Sequence, residues 1–296
     1  MAEELPKLIL SSSDRIMHRL IDKDPESPRS EYDSWAVSDP IPGARIINTW
    51  EVYHNMHLVL TVTEEGHYNI FRSLDLKKFS LVHSHQVAII NLFYIDEGHM
   101  LFSAEDGWWK TKDTGRTWQK LGRGPVARSA VAIATSLNSW VLTAYSQDHK
   151  LYSRPYPYGR WSVSFDTNKI WQGQWYPAMA GSPEGILVGT GTKLLRFSIG
   201  EPWKLVAEVD GIIKSIVVSD QSNQPTFLIE LEKTGQSKLY WTYDLGDSIV
   251  PDLNRVGPIS SVQSVYPTGT DKLQTIFAVL GKRTSDGSMG YNLIED

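Results

Sequence analysis

The chain has 296 residues, 41% of them hydrophobic and 21% charged, a globular composition and not a disordered one. Its 29 basic and 34 acidic residues give a net charge of −5 with no basic run of five, which argues against a broad nucleic-acid surface, and the lack of cysteine removes disulfide scaffolds, thiolate metal sites and cysteine nucleophiles together. No stretch approaches the ~18 consecutive apolar residues of a membrane helix, and the first residues, Met1-Ala-Glu-Glu-Leu-Pro6, are acidic where a signal peptide is basic.

The first 43 residues carry three short apolar runs, read as strands over Lys7–Ser11, Arg15–Ile21 and Ser34–Val37. Ile16, Met17 and Leu20 also fall at helical spacing, but the run reads equally well as a strand. Between them lies a charged, proline-rich loop over residues 22–31. Unit 44–84 contains His57–Thr63, a β-branched run of strand type. Unit 85–124 parses into four strands, Ala88–Ile95, Met100–Ala104, Trp108–Thr111 and Thr117–Leu121. Units 125–168, 169–209 and 210–256 repeat the pattern around Ser129–Ala134, Gly185–Gly189 and Thr226–Leu231. Residues 257–296 offer three strands, Ser261–Tyr266, Gln274–Leu280 and Tyr291–Ile294.

One local feature recurs through this series. A Ser or Thr ends a strand, a short turn follows, and usually an aromatic residue opens the next strand. The anchors Ser73, Thr111, Ser153, Ser198 and Thr242 are spaced by 38, 42, 45 and 44 residues. Four short antiparallel strands repeated every ~40–45 residues describe the blade of a β-propeller. A blade cannot bury both faces alone, whereas blades stacked face to face can. Five clear units and two terminal pieces favour a single seven-bladed domain over residues 1–296, with six blades as the alternative. Three strands at each end predict closure by pairing of N- and C-terminal strands.

Thr111-Lys-Asp113-Thr-Gly115-Arg-Thr117-Trp118 resembles the Asp box, or BNR repeat, at all its defining positions. Thr242-Tyr-Asp244-Leu-Gly246-Asp-Ser248-Ile249 keeps the Thr, Asp and Gly, and Ser73-Leu-Asp75 is a shortened copy. The chain thus resembles the Asp-box β-propeller superfamily, which includes sialidase-like and sortilin-like propellers, photosystem assembly factors and phage or surface components. The resemblance implies a fold and a structural role for the boxes at the blade periphery. The residues agree with that role, since an Asp side chain accepts backbone N–H bonds across a turn and Gly permits positive φ.

The enzyme signatures of the superfamily do not assemble. A sialidase resemblance would require Arg-Ile-Pro, an arginine triad and a Tyr–Glu pair. Here Arg15-Ile16-Met17 and Arg45-Ile46-Ile47 both lack the proline, and neither a third arginine nor a Tyr–Glu pair can be assigned. No catalytic residue, cofactor or metal site is therefore expected. His54, His57, His83 and His85 could offer metal ligands by spacing, but with no carboxylate cluster beside them they read as solvated strand residues. Gly189-Thr-Gly191-Thr192 lies between strands with no helix after it, so it does not read as a phosphate loop.

Two aromatic clusters exceed what turns require. Arg154, Tyr156, Tyr158 and Arg160 fall in one, and Trp175 and Tyr176 in the other. Tyr, Trp and Arg are the residues enriched at binding hot spots, and aromatic faces also stack on sugars. The expected function is a non-catalytic interaction or structural subunit, for instance of a phage tail or surface complex. Its partner would be a protein, a larger assembly or further copies of itself. A glycan-binding module and, behind it, a sialidase-like glycosidase are the alternatives. The expected location is cytoplasmic or virion-associated in preference to classical secretion.

Overall fold

The computed structural model describes residues 7–11, 14–20, 36–41, 45–52, 56–96, 98–136, 139–173, 178–219, 225–251, 259–265, 276–282 and 289–295. It is all-β, built from sheets of antiparallel strands that follow one another along the sequence, as in a β-propeller. The protein divides into two compact units, Met1–Ala127 and Arg128–Asp296.

The first unit begins with a three-stranded sheet, β1 (Lys7–Ser11), β2 (Ile16–Leu20) and β3 (Ala36–Val37). Two four-stranded sheets follow. One is β4 (Arg45–Val52), β5 (Met56–Val62), β6 (Tyr68–Ser73) and β7 (Ser80–His85). The other is β8 (Ile89–Asp96), β9 (His99–Ala104), β10 (Gly107–Thr111) and β11 (Gln119–Gly122). Ile16 and Ile41 pack with Val59 and Leu76. Leu58, Leu60 and Ile70 meet Ile89, Leu92, Met100 and Phe102.

The second unit carries three four-stranded sheets. They are β12 (Ala127–Ser136) to β15 (Ser162–Asp166), through β13 (Ser139–Ser146) and β14 (Lys150–Tyr156); β16 (Ala178–Ser182), β17 (Gly185–Thr190), β18 (Lys193–Phe197) and β19 (Lys204–Glu208); and β20 (Ile212–Ser219), β21 (Thr226–Lys233), β22 (Gln236–Thr242) and β23 (Val250–Pro251). A three-stranded sheet, β24 (Ile259–Val265), β25 (Ile276–Lys282) and β26 (Met289–Glu295), comes last. Ile133, Tyr145 and Leu151 pack on Met179, Ile186, Val188 and Leu195. Leu187 and Leu194 pack on Ile213, Phe227, Ile229 and Leu231.

Burial explains why the second strand of each sheet reads as an unbroken apolar run. β5, β9 and β17 are buried on both faces, and for β5 and β17 a neighbouring sheet covers each side. Each buried Leu or Ile there contributes about 1.5–3 kcal/mol. The fourth strands β7, β11, β15 and β19 are mostly exposed or half-buried. The first strands run side by side: β1 lies beside β4, β16 beside β20 and β20 beside β24. Asn48 Nδ2 on β4 donates to Asn91 Oδ1 on β8 at 3.4 Å.

Bulges recur in register. The first strands carry an extra residue at Ile47, Ile90, Lys214 and Ser260. The fourth strands carry one at Val82, Leu121, Ser164 and Val206. A bulge raises local twist and spoils the hydrogen-bonding edge, which suits strands that end a sheet.

Three expectations differ from the structure, the first being the boundary at 84/85, which falls inside β7. Ser153 is not a strand end: β14 runs on to Tyr156, and Ser153 Oγ bonds Thr143 and Ser164 across the sheet, at 3.2 and 3.0 Å. The terminal strands also do not share a sheet among the described residues, since β1–β3 and β24–β26 each pair only among themselves. Each terminal segment holds three strands close in sequence, so local antiparallel pairing satisfies them first. The loop over 22–31 lies outside the described residues.

Candidate interaction site

Turns between third and fourth strands are the natural place to compare the repeats. Third strands end at Ser73, Thr111, Tyr156, Phe197 and Thr242, and the fourth strands are preceded by Phe79, Trp118, Trp161, Trp203 and Ile249.

Three of these turns share one hydrogen-bond plan. Thr111 Oγ1 donates to Asp113 Oδ1 at 2.7 Å and accepts the Gly115 N–H at 3.0 Å. Asp113 accepts the Thr117 N–H and hydroxyl at 2.9 and 2.6 Å. Thr242, Asp244, Gly246 and Ser248 repeat the plan, with the Gly246 and Ser248 N–H bonds both at 2.8 Å. In the short copy, Ser73 Oγ donates to Asp75 Oδ1 at 3.1 Å, and that carboxylate accepts the N–H groups of Lys77 and Lys78. Burial alone would raise the pKa of Asp113 and Asp244, but these donors outweigh it and lower both carboxyls.

These turns also dock on the preceding sheet. A Cβ on Gly115, at φ +82°, would come within 3.1 Å of Leu58. Gly246 packs in the same way on Leu194, Val206 and Leu187. Leu76 and Leu245, both at positive φ, are turned inward and buried, at 1% and 8% exposure. Arg196 on β18 reaches Asp247 Oδ2 at 2.6 Å and ties the β22–β23 turn to its neighbour. Thr111, Asp113, Gly115, Thr117, Trp118, Thr242, Asp244, Gly246, Ser73 and Asp75 are thus engaged in turn geometry and sheet docking.

The turn after β14 departs from this plan. Arg154 and Tyr156 share one face of β14, opposite Leu142 and Trp140 of β13. Both point inward, at 6% and 2% exposure, so they cannot form the open contact surface that the sequence predicts. The Trp140 ring lies 6.0 Å from Tyr156, and the Arg154 guanidinium sits over Trp161 at 5.6 Å. Beyond the cis Tyr156–Pro157 bond, the backbone turns outward. Tyr158 is 91% exposed and Arg160 is exposed. Gly159 closes the turn against Pro155, where a Cβ would lie 2.5 Å from the Pro155 carbonyl oxygen. Where the three hydroxyl–carboxylate turns press a residue into the neighbouring sheet, this one presents an aromatic ring to solvent from a base held by two buried side chains. Trp175 and Tyr176 lie outside the described residues.

Sequence reasoning missed Trp140 and the inward turn of Arg154. The available signal was parity: Arg154 and Tyr156 are two residues apart on a strand and must share a face. The histidines also differ from expectation. His57 and His85 are buried, His83 is half-buried, and His54 lies outside the described residues. Sheet-on-sheet packing covers their strand faces. His85 Nε2 lies 3.0 Å from Asp106 Oδ1, which also accepts the Trp109 indole N–H. Lys120 Nζ donates to Asp106 Oδ2 at 2.6 Å. Burial pushes the Asp106 carboxyl up, but Lys120, His85 and Trp109 together hold it down at about 2. His83 stacks on His85 beside Phe102, Trp109 and Trp118, and burial lowers its pKa. Among the described residues no group of three His, Asp or Glu could hold a metal ion. The Gly189–Thr192 run is explained by packing: Gly189 faces Ile213, and the Trp171 ring covers Gly191.

A cleft of 350 Å³ lies between the β16–β19 and β20–β23 sheets, lined by Val206, Val209, Leu231, Tyr240 and Ile249. Its acids are already paired, Glu208 with Lys193, Asp210 with Lys233 and Asp247 with Arg196. Among the described residues no helix is long and apolar enough to cross a membrane.

No protein-family model and no curated protein matches the sequence. Its fold does match solved structures. YCF48 bound to D1 peptide superposes with a TM-score of 0.59 at 12% identity, over 94% of this chain and 92% of that one. BBS1N in complex with ARL6DN gives 0.62 at 10% identity, over 96% and 86%. The GH74 xyloglucanase from Xanthomonas campestris gives 0.50 at 12% identity, over 80% of this chain and 45% of that one. All three are β-propellers, so the likeness is one of fold.

Proposed function

We propose that the protein is one domain, a seven-bladed propeller of the Asp-box type, and that it serves as a non-catalytic protein-binding subunit. The contact surface would centre on the turn at 156–161. The observation that supports this most directly is the exposure of Tyr158 at 91% on a turn that leaves β14 from the buried Tyr156. A large ring presented from a fixed base loses little side-chain entropy on binding, as a hot-spot anchor should. Two of the similar folds are propellers in complexes, one with a peptide and one with a protein.

The test uses the full-length protein as bait and measures the affinity of the partner it retains. Tyr158→Ala should weaken binding at least tenfold, as hot-spot truncation does. An unchanged affinity removes this turn from consideration. The same exposed ring also suits stacking on a sugar. Glycan-array binding lost in Tyr158→Ala, with no protein partner retained, would favour the glycan-binding reading.

A further inference from the structure

Arg154 is out of balance with its surroundings. It is 94% buried by its 6% exposure, and its Nε is sealed from solvent with no hydrogen-bond partner. Among the described residues no carboxylate acts on it: burial pulls its pKa down, and the Tyr156 phenol is the one group that pushes it up. A buried guanidinium without a counter-ion is costly, and natural proteins normally pair it. Of the other third-strand arginines, Arg196 has its carboxylate in Asp247, and the Nε of Arg72, unlike that of Arg154, has an acceptor in Met56 Sδ.

The stacking geometry says which part of Arg154 is open to a ligand. The guanidinium carbon lies over the Trp161 ring, 5.6 Å from its centre. A cation–π contact of this kind uses no N–H donor, so the guanidinium's donors remain for acceptors. The terminal nitrogens are not sealed as Nε is. They form the edge on which both oxygens of a carboxylate can be bonded at once. The exposed Tyr158 and Arg160 follow directly in the same turn.

We infer that Arg154 is the anchor for a carboxylate of the partner polypeptide, received beside Tyr158 on the 156–161 turn. This rests on the reading of that turn as the docking surface and adds the chemistry of what docks there. An acidic side chain or a carboxy-terminus supplies the missing counter-ion, with Tyr158 covering the apolar flank and Arg160 attracting the acidic segment. The anchor gives specificity, since a neutral amide leaves the buried charge uncompensated.

The experiment follows the Arg154 Nε–H resonance in the ¹⁵N-labelled full-length protein. A sealed N–H exchanges slowly and is visible at neutral pH, and its loss in Arg154→Met assigns it. Nα-acetylglutamic acid α-amide and Nα-acetylalanine are titrated into the millimolar range, where small-molecule contacts of this kind saturate. Nα-acetylglutamine amide and sodium chloride at equal ionic strength are the controls. The expected result is a saturable shift with the carboxylates and none with the controls. A stronger response to the glutamate derivative identifies an acidic side chain, and a stronger response to acetylalanine identifies a carboxy-terminus. No shift with either carboxylate, or an equal shift with the controls, overturns the inference. Failure here would leave Tyr158→Ala still weakening the partner. Failure of the docking reading would leave this shift intact while Tyr158→Ala has no effect on the partner. Arg154→Met should also unfold no more easily than the parent, because it removes an unpaired buried charge; marked destabilisation would assign Arg154 to packing on Trp161 and overturn the anchor.

Discussion

Substituting Gly246 by Ala tests whether the recurring turns dock the sheets or merely reverse the backbone. Two costs are expected. The backbone cost comes from φ +88°, a left-handed conformation that an L-residue pays about 1–2 kcal/mol to adopt. The packing cost comes from the new methyl, which would lie 2.9 Å from Leu194 Cδ2 and 3.0 Å from Val206 Cγ2. Leu194 is fully buried and has nowhere to retreat. Overpacking of this kind costs about 1–3 kcal/mol. Gly235 supplies the control. It sits in the same unit at φ +77°, with nothing within 4 Å of the added methyl. Gly235→Ala should therefore lose only the backbone part, and Gly246→Ala should lose about 1–3 kcal/mol more. Urea unfolding followed by tryptophan fluorescence measures both. Equal losses in the two variants would show that the Gly246 turn does not bear on the β16–β19 sheet, and the docking argument would fall.

Tyr156→Ala should lose about 3–5 kcal/mol of stability by leaving a cavity beside Trp140, while Tyr158→Ala should change stability by less than ~0.5 kcal/mol, both read from denaturant midpoints. His99 is held neutral by burial, and by the charges of Lys112 and Lys110, so its pKa falls from 6.5 to about 4. Its folded value lies below its unfolded one, so the associated stability is complete above pH 6.5 and is lost as pH falls toward about 4. The full loss is roughly 3 kcal/mol, and His99→Gln should flatten the stability curve across that interval. Asp106 behaves as a depressed carboxyl: the stability it provides is present above its ordinary pKa of 3.8 and is lost as pH falls to about 2. Asp106→Asn should cost about 1.5–3 kcal/mol at neutral pH and almost nothing at the acid end, as unfolding at the two pH values would show.

The amino-acid sequence by itself determined the strand-rich repeat, its period of about forty-two residues and the hydroxyl–carboxylate turns at Asp75, Asp113 and Asp244. These are local matters. A Ser or Thr, an Asp and a residue that tolerates positive φ close the same hydrogen-bonded turn wherever they occur, and period-two patterning marks a strand wherever it lies. Tertiary structure decided which faces of those strands are covered. In a stack of sheets both faces of a middle strand are buried, so alternation gives the parity of a side chain but not its exposure. For that reason His57 and His85 are inside where the sequence placed them in solvent, and Arg154 and Tyr156 anchor the base of a turn whose surface belongs to Tyr158 and Arg160. The bulges at Ile47, Ile90 and Lys214, and the steric demand on Gly246, are likewise properties of neighbouring strands and sheets, which no single segment of the sequence encodes alone.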